Sequence, residues 1–403
     1  MFGISPLFVC AALALLRTTS AVGTPFGLAA GTTGGGSATP SVPSSLAQLT
    51  TWLSDSTPRV ILLESIYDFT SNEGTTTGTI CKPWTCSPNP QVAIDANSWC
   101  EDDEPSAAKS TGTWFVAGTK PLTVASNKTL LGKGSAGGIK GKGLKIASAN
   151  NIIIQNIQII DINEEFVWGG DALQIDGGSN IWVDSNYFQN IGRQMVVTGF
   201  GAVTKTTFSN NVFNGASTYS ATCNGQHYWT AFFTGAGDQI TFALNYLYMT
   251  SGRGPHVGGT SGNFQDVHVY NNYFVSIAGN ALDPEVGSKT LLEGNYFNTV
   301  TTPTLTGAGQ TYIPTTSAQA AACSSLLGRS CVTNVLLNSG ALLAGTDTGT
   351  LNGFTAVRFF IASLDSLHPN IAFTQSTFKS ASIMAAASVP NYVQAHAGVG
   401  IVN

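Results

Sequence analysis

One phrase recurs through the middle of this 403-residue chain: an apolar alternation, then Asn, one further residue, and usually an aromatic or aliphatic one. It reads Asn186-Tyr187-Phe188, Asn211-Val212-Phe213, Asn245-Tyr246-Leu247, Asn272-Tyr273-Phe274 and Asn295-Tyr296-Phe297, with a less aromatic copy at Asn156-Ile157. Successive Asn residues are 30, 25, 34, 27 and 23 positions apart. Strand-like segments such as Ile152-Ile153-Ile154, Ile181-Trp182-Val183 and Val267-His268-Val269 precede most copies. Periods of about 20–50 residues mark solenoids or propellers, and a propeller blade takes about 40. Leucine-rich repeats need Leu-dominated stretches that are missing here. The spacing suits coils of a parallel β-helix, lengthened in places by insertions. Asn explains itself in that architecture: stacked at one corner, its side chains can bond to one another and hold a left-handed turn.

The expectation is therefore an all-β, right-handed, single-stranded parallel β-helix, with stacked aromatics inside. A β-sandwich with chance Asn-x-Phe turns is the alternative. Composition favours many short strands and tight turns: charged residues are only 10% and Gly occurs 45 times. Hydrophobic residues at 43% can fill a large core.

An open solenoid end must be covered. Pro43-Ser44-Ser45 ahead of Leu46, Leu49, Trp52 and Leu53 predicts an amphipathic capping helix with a Ser N-cap. Beyond about Pro303 the repeat fades into Ala, Ser and Thr, which predicts a C-terminal segment wrapped around the last coil. Trp52, Trp114 and Trp182 read as core residues.

Residues 1–21 read as a signal peptide: Phe8–Leu16 is apolar but too short to span a bilayer, and Thr19-Ser20-Ala21 offers a cleavage site. Residues 22–403 would then form a single secreted domain. Removing Cys10 leaves an even set, Cys81, Cys86, Cys100, Cys223, Cys323 and Cys331, which suggests disulfides in an exported chain. Asn127-Lys128-Thr129 is the only N-glycosylation sequon. No membrane partner is expected, and a monomer is. Losing Arg17 takes the formal charge from −5 to −6, which argues against nucleic acid and disfavours a densely anionic polymer.

Four motifs fall once per coil at similar phase: Phe166–Ala172 with its Gly-Gly-Asp, Ile191-Gly192-Arg193-Gln194, Ala221–Trp229, and Ser251-Gly252-Arg253-Gly254-Pro255. A solenoid stacks such segments on one face as a groove. Trp84, Trp99, Trp168, Tyr228 and Trp229 sit in loops or at motif edges. Aromatic planes there would line the groove and bind substrate by stacking on its apolar faces. From residue type alone, Arg253 reads equally as a base or as a bidentate carboxyl binder.

These phrases carry a resemblance. "VWGGDA", "IGRQ", "YSATCNGQHYW", "SGR" with Pro255 close behind, "GTTTGTICKPW", "SNKTLLGKGSAGGIKGKGL", "NIIIQNI" and "SVPNYVQAHAGVG" closely resemble fungal pectin lyases of the pectin and pectate lyase superfamily (polysaccharide lyase family 1), from "GGGSATP" to the end. The resemblance implies β-elimination on methyl-esterified pectin, with Arg253 removing the C5 proton. It places Asp171 beside Arg193 as an ion pair in the cleft. It implies disulfides Cys81–Cys100, Cys86–Cys223 and Cys323–Cys331. Related pectate lyases gather carboxylates around calcium; here Gly169, Arg193 and Val197 stand where acids would be needed, so no metal and no cofactor are expected. The chain departs from the family at His256, where a Lys is usual, and at Ser185. A calcium-dependent pectate lyase is the nearest rival. A polygalacturonase-like hydrolase would need clustered acids. The acidic pair Asp102 and Asp103 sits in a loop that reads as a solvated face.

Overall fold

The computed structural model describes residues 21, 23–343, 345–354 and 381–402. The proposed signal peptide lies almost wholly outside the described residues. The rest winds as a parallel β-helix whose strands pair in register from coil to coil. One face stacks Arg59–Leu63, Lys128–Gly132, residues 152–155 and 181–184, Val203–Ser209, Asp238–Ala243, Gln265–Tyr270, Ser288–Glu293 and Gln310–Tyr312. A second stacks Gly138–Lys140, Gln158–Ile162, Tyr187–Ile191, Val212–Asn214, Tyr246–Tyr248, residues 273–275 and 296–298, and Val335–Leu337.

A third face places the groove. It runs through Leu122–Thr123, residues 144–147 and 173–176, Val196–Thr198, Ala231–Phe233, His256–Val257 and residues 283–284. The period-2 pattern decides what each strand shows. Leu144, Leu173, Val196 and Ala231 are buried inside, while Lys145, Gln174, Val197, Phe232 and His256 form one outward column.

The Asn repeat forms the corner between the first two faces. Asn186, Asn211, Asn245, Asn272 and Asn295 each donate from Nδ2 to the next Oδ1, at 2.9–3.0 Å, and the next rung is Asn334. Inside, aromatic rings stack in the same rhythm: Phe188 on Phe213 at 5.2 Å, and Phe274 on Phe297 at 4.6 Å. Every ladder Asn up to Asn295 is fully buried and bonded on both sides, so one deletion orphans several groups. Asn245→Ala would strip a partner from the Asn211 N–H, from the Asn211 amide and from the Phe208 carbonyl. The expected loss is at least about 3 kcal/mol, read as a drop in denaturant midpoint. An unchanged midpoint would mean the ladder is not a stabilising element.

The helix Leu46–Ser54 forms as expected, capped by the Ser45 hydroxyl, which accepts from the Gln48 N–H, and it buries Leu49 and Leu53 completely against the end of the solenoid. The C-terminal expectation needs correction. The coil does not stop near Pro303: Gln310–Tyr312 and Val335–Leu337 extend two faces by another turn, and Asn334 adds a rung. Outside that turn, the short helices Ser317–Ala322 and Ser324–Leu327 cover Leu291 and Tyr312. They are pinned by Glu293, whose buried carboxylate accepts from His268, Arg329 and the Val332 N–H. Burial pushes the Glu293 pKa up, but the hydrogen bonds from His268 and Arg329 win and hold it at about 2.

Three disulfides join Cys81 to Cys100, Cys86 to Cys223 and Cys323 to Cys331. Of the tryptophans expected in the core, Trp182 is buried and donates to the Ser209 hydroxyl. Trp52 is half-buried beneath the Arg59 guanidinium, and Trp114 is half-buried at the edge of a cavity of about 560 Å³. Asn127 heads the strand Lys128–Gly132, half-buried, with its Oδ1 accepting from Asn151.

Candidate active site

The four motifs do converge. Each occupies the turn that leads into a strand of the groove floor: Phe166–Ala172 precedes Leu173, Ile191–Met195 precedes Val196, Ala221–Thr230 precedes Ala231, and Ser251–Pro255 precedes His256. Because the floor strands are in register, the turns stack, and their side chains line one rim. A separate antiparallel sheet (Thr75–Lys82, Val92–Ile94, Ala108–Phe115), joined in parallel by Phe166–Val167, stands beside that rim. Disulfide Cys81–Cys100 fixes the segment bearing Trp84 and Trp99, and Cys86–Cys223 ties it to the third turn.

Arg253 sits at φ +50°, a left-handed turn position, following Gly252. Gly252 is required there by contact: a Cβ would come within 2.3 Å of the Tyr228 ring. The guanidinium carbon of Arg253 lies 4.7 Å from the Trp229 ring centre, 4.6 Å from Phe232 and 5.9 Å from Tyr228. Its Nε and Nη1 are buried without a hydrogen-bond partner among the described residues. Burial pulls its pKa down; the Tyr228 hydroxyl works against this, and the nearby Arg193 charge works with it. Phe232 was not anticipated from the sequence.

Arg193 lays its guanidinium on the face of Trp168, 3.8 Å from the ring centre. Burial lowers its pKa, and the Asp171 charge opposes that. The ion pair expected between Asp171 and Arg193 is not formed. Both Asp171 oxygens are taken, Oδ1 by the Gln194 N–H and Oδ2 by the Gln174 amide, each at 2.8 Å. The Gly-Gly-Asp and Ile-Gly-Arg turns are thus joined through the backbone beside Arg193, and the guanidinium is free to rest on the indole.

The aromatic set divides. Trp84, Trp99, Trp168 and Tyr228 are half-buried, with Trp99 and Trp168 6.3 Å apart. Trp229 is buried behind them at 9% exposure, edge-on to Trp84 at 6.0 Å and to Tyr228 at 5.0 Å, with its indole N–H donating to Gln91. It backs Arg253 instead of lining the groove. His227 is also buried; its Nε2 donates to the Arg193 and Trp229 carbonyls, and burial lowers its pKa to about 4. It therefore stays neutral and turned away from the groove.

The resemblance raises the question of calcium, and the residues here do not fit it. Ca²⁺ takes about six to eight oxygen ligands. Asp171 already spends both oxygens on protein donors. An acidic side chain at position 169 has no room, since a Cβ there would come within 2.6 Å of the Phe166 carbonyl. Val197 lies in the floor column and Arg193 brings a cation.

A parallel β-helix with a groove of stacked turns, two desolvated arginines and an aromatic wall has a site suited to an extended ligand laid across several coils. Comparison narrows this. A probable pectin lyase F-2 of Aspergillus terreus is 43% identical over 384 residues, covering 94% of this chain and 74% of that protein. Pectin lyase D of Aspergillus niger is 44% identical over 337 residues, 83% of this chain and 88% of that one. Pectin lyase B of Emericella nidulans is 44% identical over 361 residues, 89% and 93%. The chain belongs to the pectin lyase family. No protein-family model matches it. Among solved structures, a Bacillus sp. pectate lyase in complex with trigalacturonate shares the fold at a TM-score of 0.57 and 19% identity, covering 94% of this chain and all of that one. Pectate lyase C of Erwinia chrysanthemi, solved with calcium, aligns at 0.51 and 18%, covering 93% and 96%.

Proposed function

We propose that this chain is an endo-acting pectin lyase, secreted and calcium-independent, that cleaves methyl-esterified homogalacturonan by β-elimination. Arg253 takes the C5 proton of a galacturonate methyl ester. The electron pair left on C5 becomes the C4=C5 double bond, the C4–O bond breaks, and the departing glycosidic oxygen is protonated from water. One product carries a 4,5-unsaturated end. Arg193 faces the charge that gathers on the ester carbonyl as the enolate forms. Asp171 holds the turn bearing Arg193 through the Gln194 N–H. Trp84, Trp99, Trp168 and Tyr228 receive sugar rings and methyl esters, and Trp229 supports Arg253. A single N-glycan at Asn127 belongs to the same reading.

The observation that carries the proposal is the state of Arg253. Arginine ordinarily stays protonated to pH values above about 12. This guanidinium has lost much of its water and packs against Trp229 and Phe232, with two nitrogens lacking hydrogen-bond partners and a second cation nearby. The lost water, the unpartnered nitrogens and the second cation favour the neutral form that a base needs, while the aromatic contact, the Tyr228 hydroxyl and the Asp283 charge work against it. A methyl ester suits the groove as well: it adds no charge and leaves C5–H more acidic than an ionised uronate does.

Ultraviolet absorbance on highly esterified pectin, recorded in excess chelator, tests the reading. Absorbance from the conjugated product should grow at an undiminished rate, and polygalacturonate should be a poor substrate. Activity lost to chelator and restored by calcium alone would overturn the metal-free reading. New reducing ends without absorbance would make the chain a hydrolase.

A further inference from the structure

Two cavities of about 560 and 520 Å³ take no part in the elimination reading, and Asp161 lines both. Each falls within the roughly 300–1,000 Å³ of small-ligand pockets. They lie on the second face of the solenoid, where Gln158, Ile160, Tyr187 and Gln189 point outward, and not on the groove floor. The antiparallel sheet stands between the larger of them and the rim that carries Arg253. Alternate side chains of that sheet choose sides. Cys81 and Ala93 pack toward Trp84, Tyr228 and Trp229, whereas Ile80, Val92 and Ile94 pack toward Trp114 and Phe166.

The larger cavity joins an aromatic wall to a set of acceptors. Trp114, Phe115, Phe166 and Tyr219 form the wall, with the Trp114 and Phe166 rings 6.0 Å apart and Phe115 39% exposed. Asp161, Glu164 and Glu165 bring the carboxyl groups. Asp161 is engaged already: its Oδ1 accepts from the Asn190 amide at 2.8 Å, and the Lys140 ammonium stands 3.8 Å from Oδ2. Glu164 Oε2, by contrast, is buried with no hydrogen-bond partner among the described residues. Burial raises the Glu164 pKa, the charges of Asp161 and Glu165 add to this, and burial raises that of Glu165. A buried acceptor of this kind is costly until a donor reaches it.

These features select among ligands. Three carboxyl groups face one ammonium, itself shared with Asp68, so a polyuronate is repelled. Among the described residues no group of three acids is placed to share a metal ion. A sugar without charge meets both conditions. Its C–H faces stack on aromatic planes, and its hydroxyls donate to carboxyl oxygens. The smaller cavity continues the same chemistry through Gln158, Tyr187, Gln189 and Asn190, which bring no charge.

We propose that the two cavities form a second carbohydrate site, which holds a neutral oligosaccharide across Asp161 on the flank of the solenoid. An enzyme tethered there to an uncharged chain keeps its groove at a raised local concentration of any substrate attached to that chain. The second site does not depend on the elimination reading.

Calorimetric titration of the full chain with cellohexaose, β-1,4-galactohexaose and α-1,5-arabinohexaose tests it, with spermidine as the cationic control. At least one sugar should bind with a Kd near or below about 1 mM. Phe115→Ala should weaken that binding roughly three- to tenfold, and Trp114→Ala at least as much. Phe115 is the safer probe of the two, because Trp114 also packs on Phe166. Turnover of Phe115→Ala on short esterified oligomers should stay at the wild-type level. Trp99→Ala, on the other side of the sheet, should leave sugar binding unchanged. No measurable binding of any of the three sugars would overturn the proposal, as would a Phe115→Ala variant that binds like the wild type. An equal loss in Trp99→Ala would place the sugar in the groove instead. A protein that takes spermidine and none of the sugars would have a cation site on this flank, which contradicts the proposal.

Discussion

Arg253→Lys is expected to lower kcat on highly esterified pectin by roughly 10²–10⁴-fold, with KM almost unchanged. Lysine keeps the charge but not the plane. The guanidinium of Arg253 packs against the Trp229 and Phe232 rings, within 4.7 Å of both, an arrangement a flat cation tolerates. A compact, strongly hydrated ammonium would be drawn toward water and away from the reacting C–H. The substrate is held largely by other residues, so binding should survive. A variant with raised KM and intact kcat would make Arg253 a carboxyl binder, and His256 the next candidate base.

Arg193→Ala should act differently, costing about 10²–10³-fold in kcat with a loss of stability of about 2 kcal/mol, less than a stranded carboxylate would cause. Had Arg193 been paired with Asp171, its removal would strand a buried carboxylate, a change that typically costs about 3–5 kcal/mol. Asp171 is instead satisfied by the Gln194 N–H and the Gln174 amide. What the variant loses from the fold is the stacking contact with Trp168, worth about 2 kcal/mol at a desolvated site. Turnover and denaturant midpoint measured on the same preparation separate the two accounts. A midpoint shift worth more than about 3 kcal/mol would mean Arg193 is a structural residue.

How much of this was legible in the chain follows from how a solenoid is written. Asn186 to Asn295 repeat a phrase because each fills the same corner, so the fold could be read from spacing alone. Asn334 escaped because its coil carries a long insertion, residues 313–334, that hides the period. The motif turns were visible as once-per-coil interruptions, and Arg193 and Arg253 stood out as charges in an apolar setting. Side-chain partners were not visible. Phe232, His256 and Asp283 form one column across residues 24 and 27 positions apart, and only the strand register aligns them. Trp229 looked like groove lining, yet the third turn rotates it behind Arg253 to bond Gln91, 138 positions away. The Asp171–Arg193 pair failed for a local reason: the Gln194 N–H and the Gln174 amide lie within three residues of Asp171 on one side or directly across the coil on the other, and they reach the carboxylate first.

Chemical rescue of Arg253→Ala tests the base assignment most directly. Truncation opens a slot against Trp229 and Phe232 into which a small guanidine or amine can diffuse. The account predicts that added bases restore unsaturated product, and that the rescued rate rises with the basicity of the base at equal concentration of its neutral form. Equal rescue by a quaternary ammonium ion, which carries charge but cannot accept a proton, would contradict it.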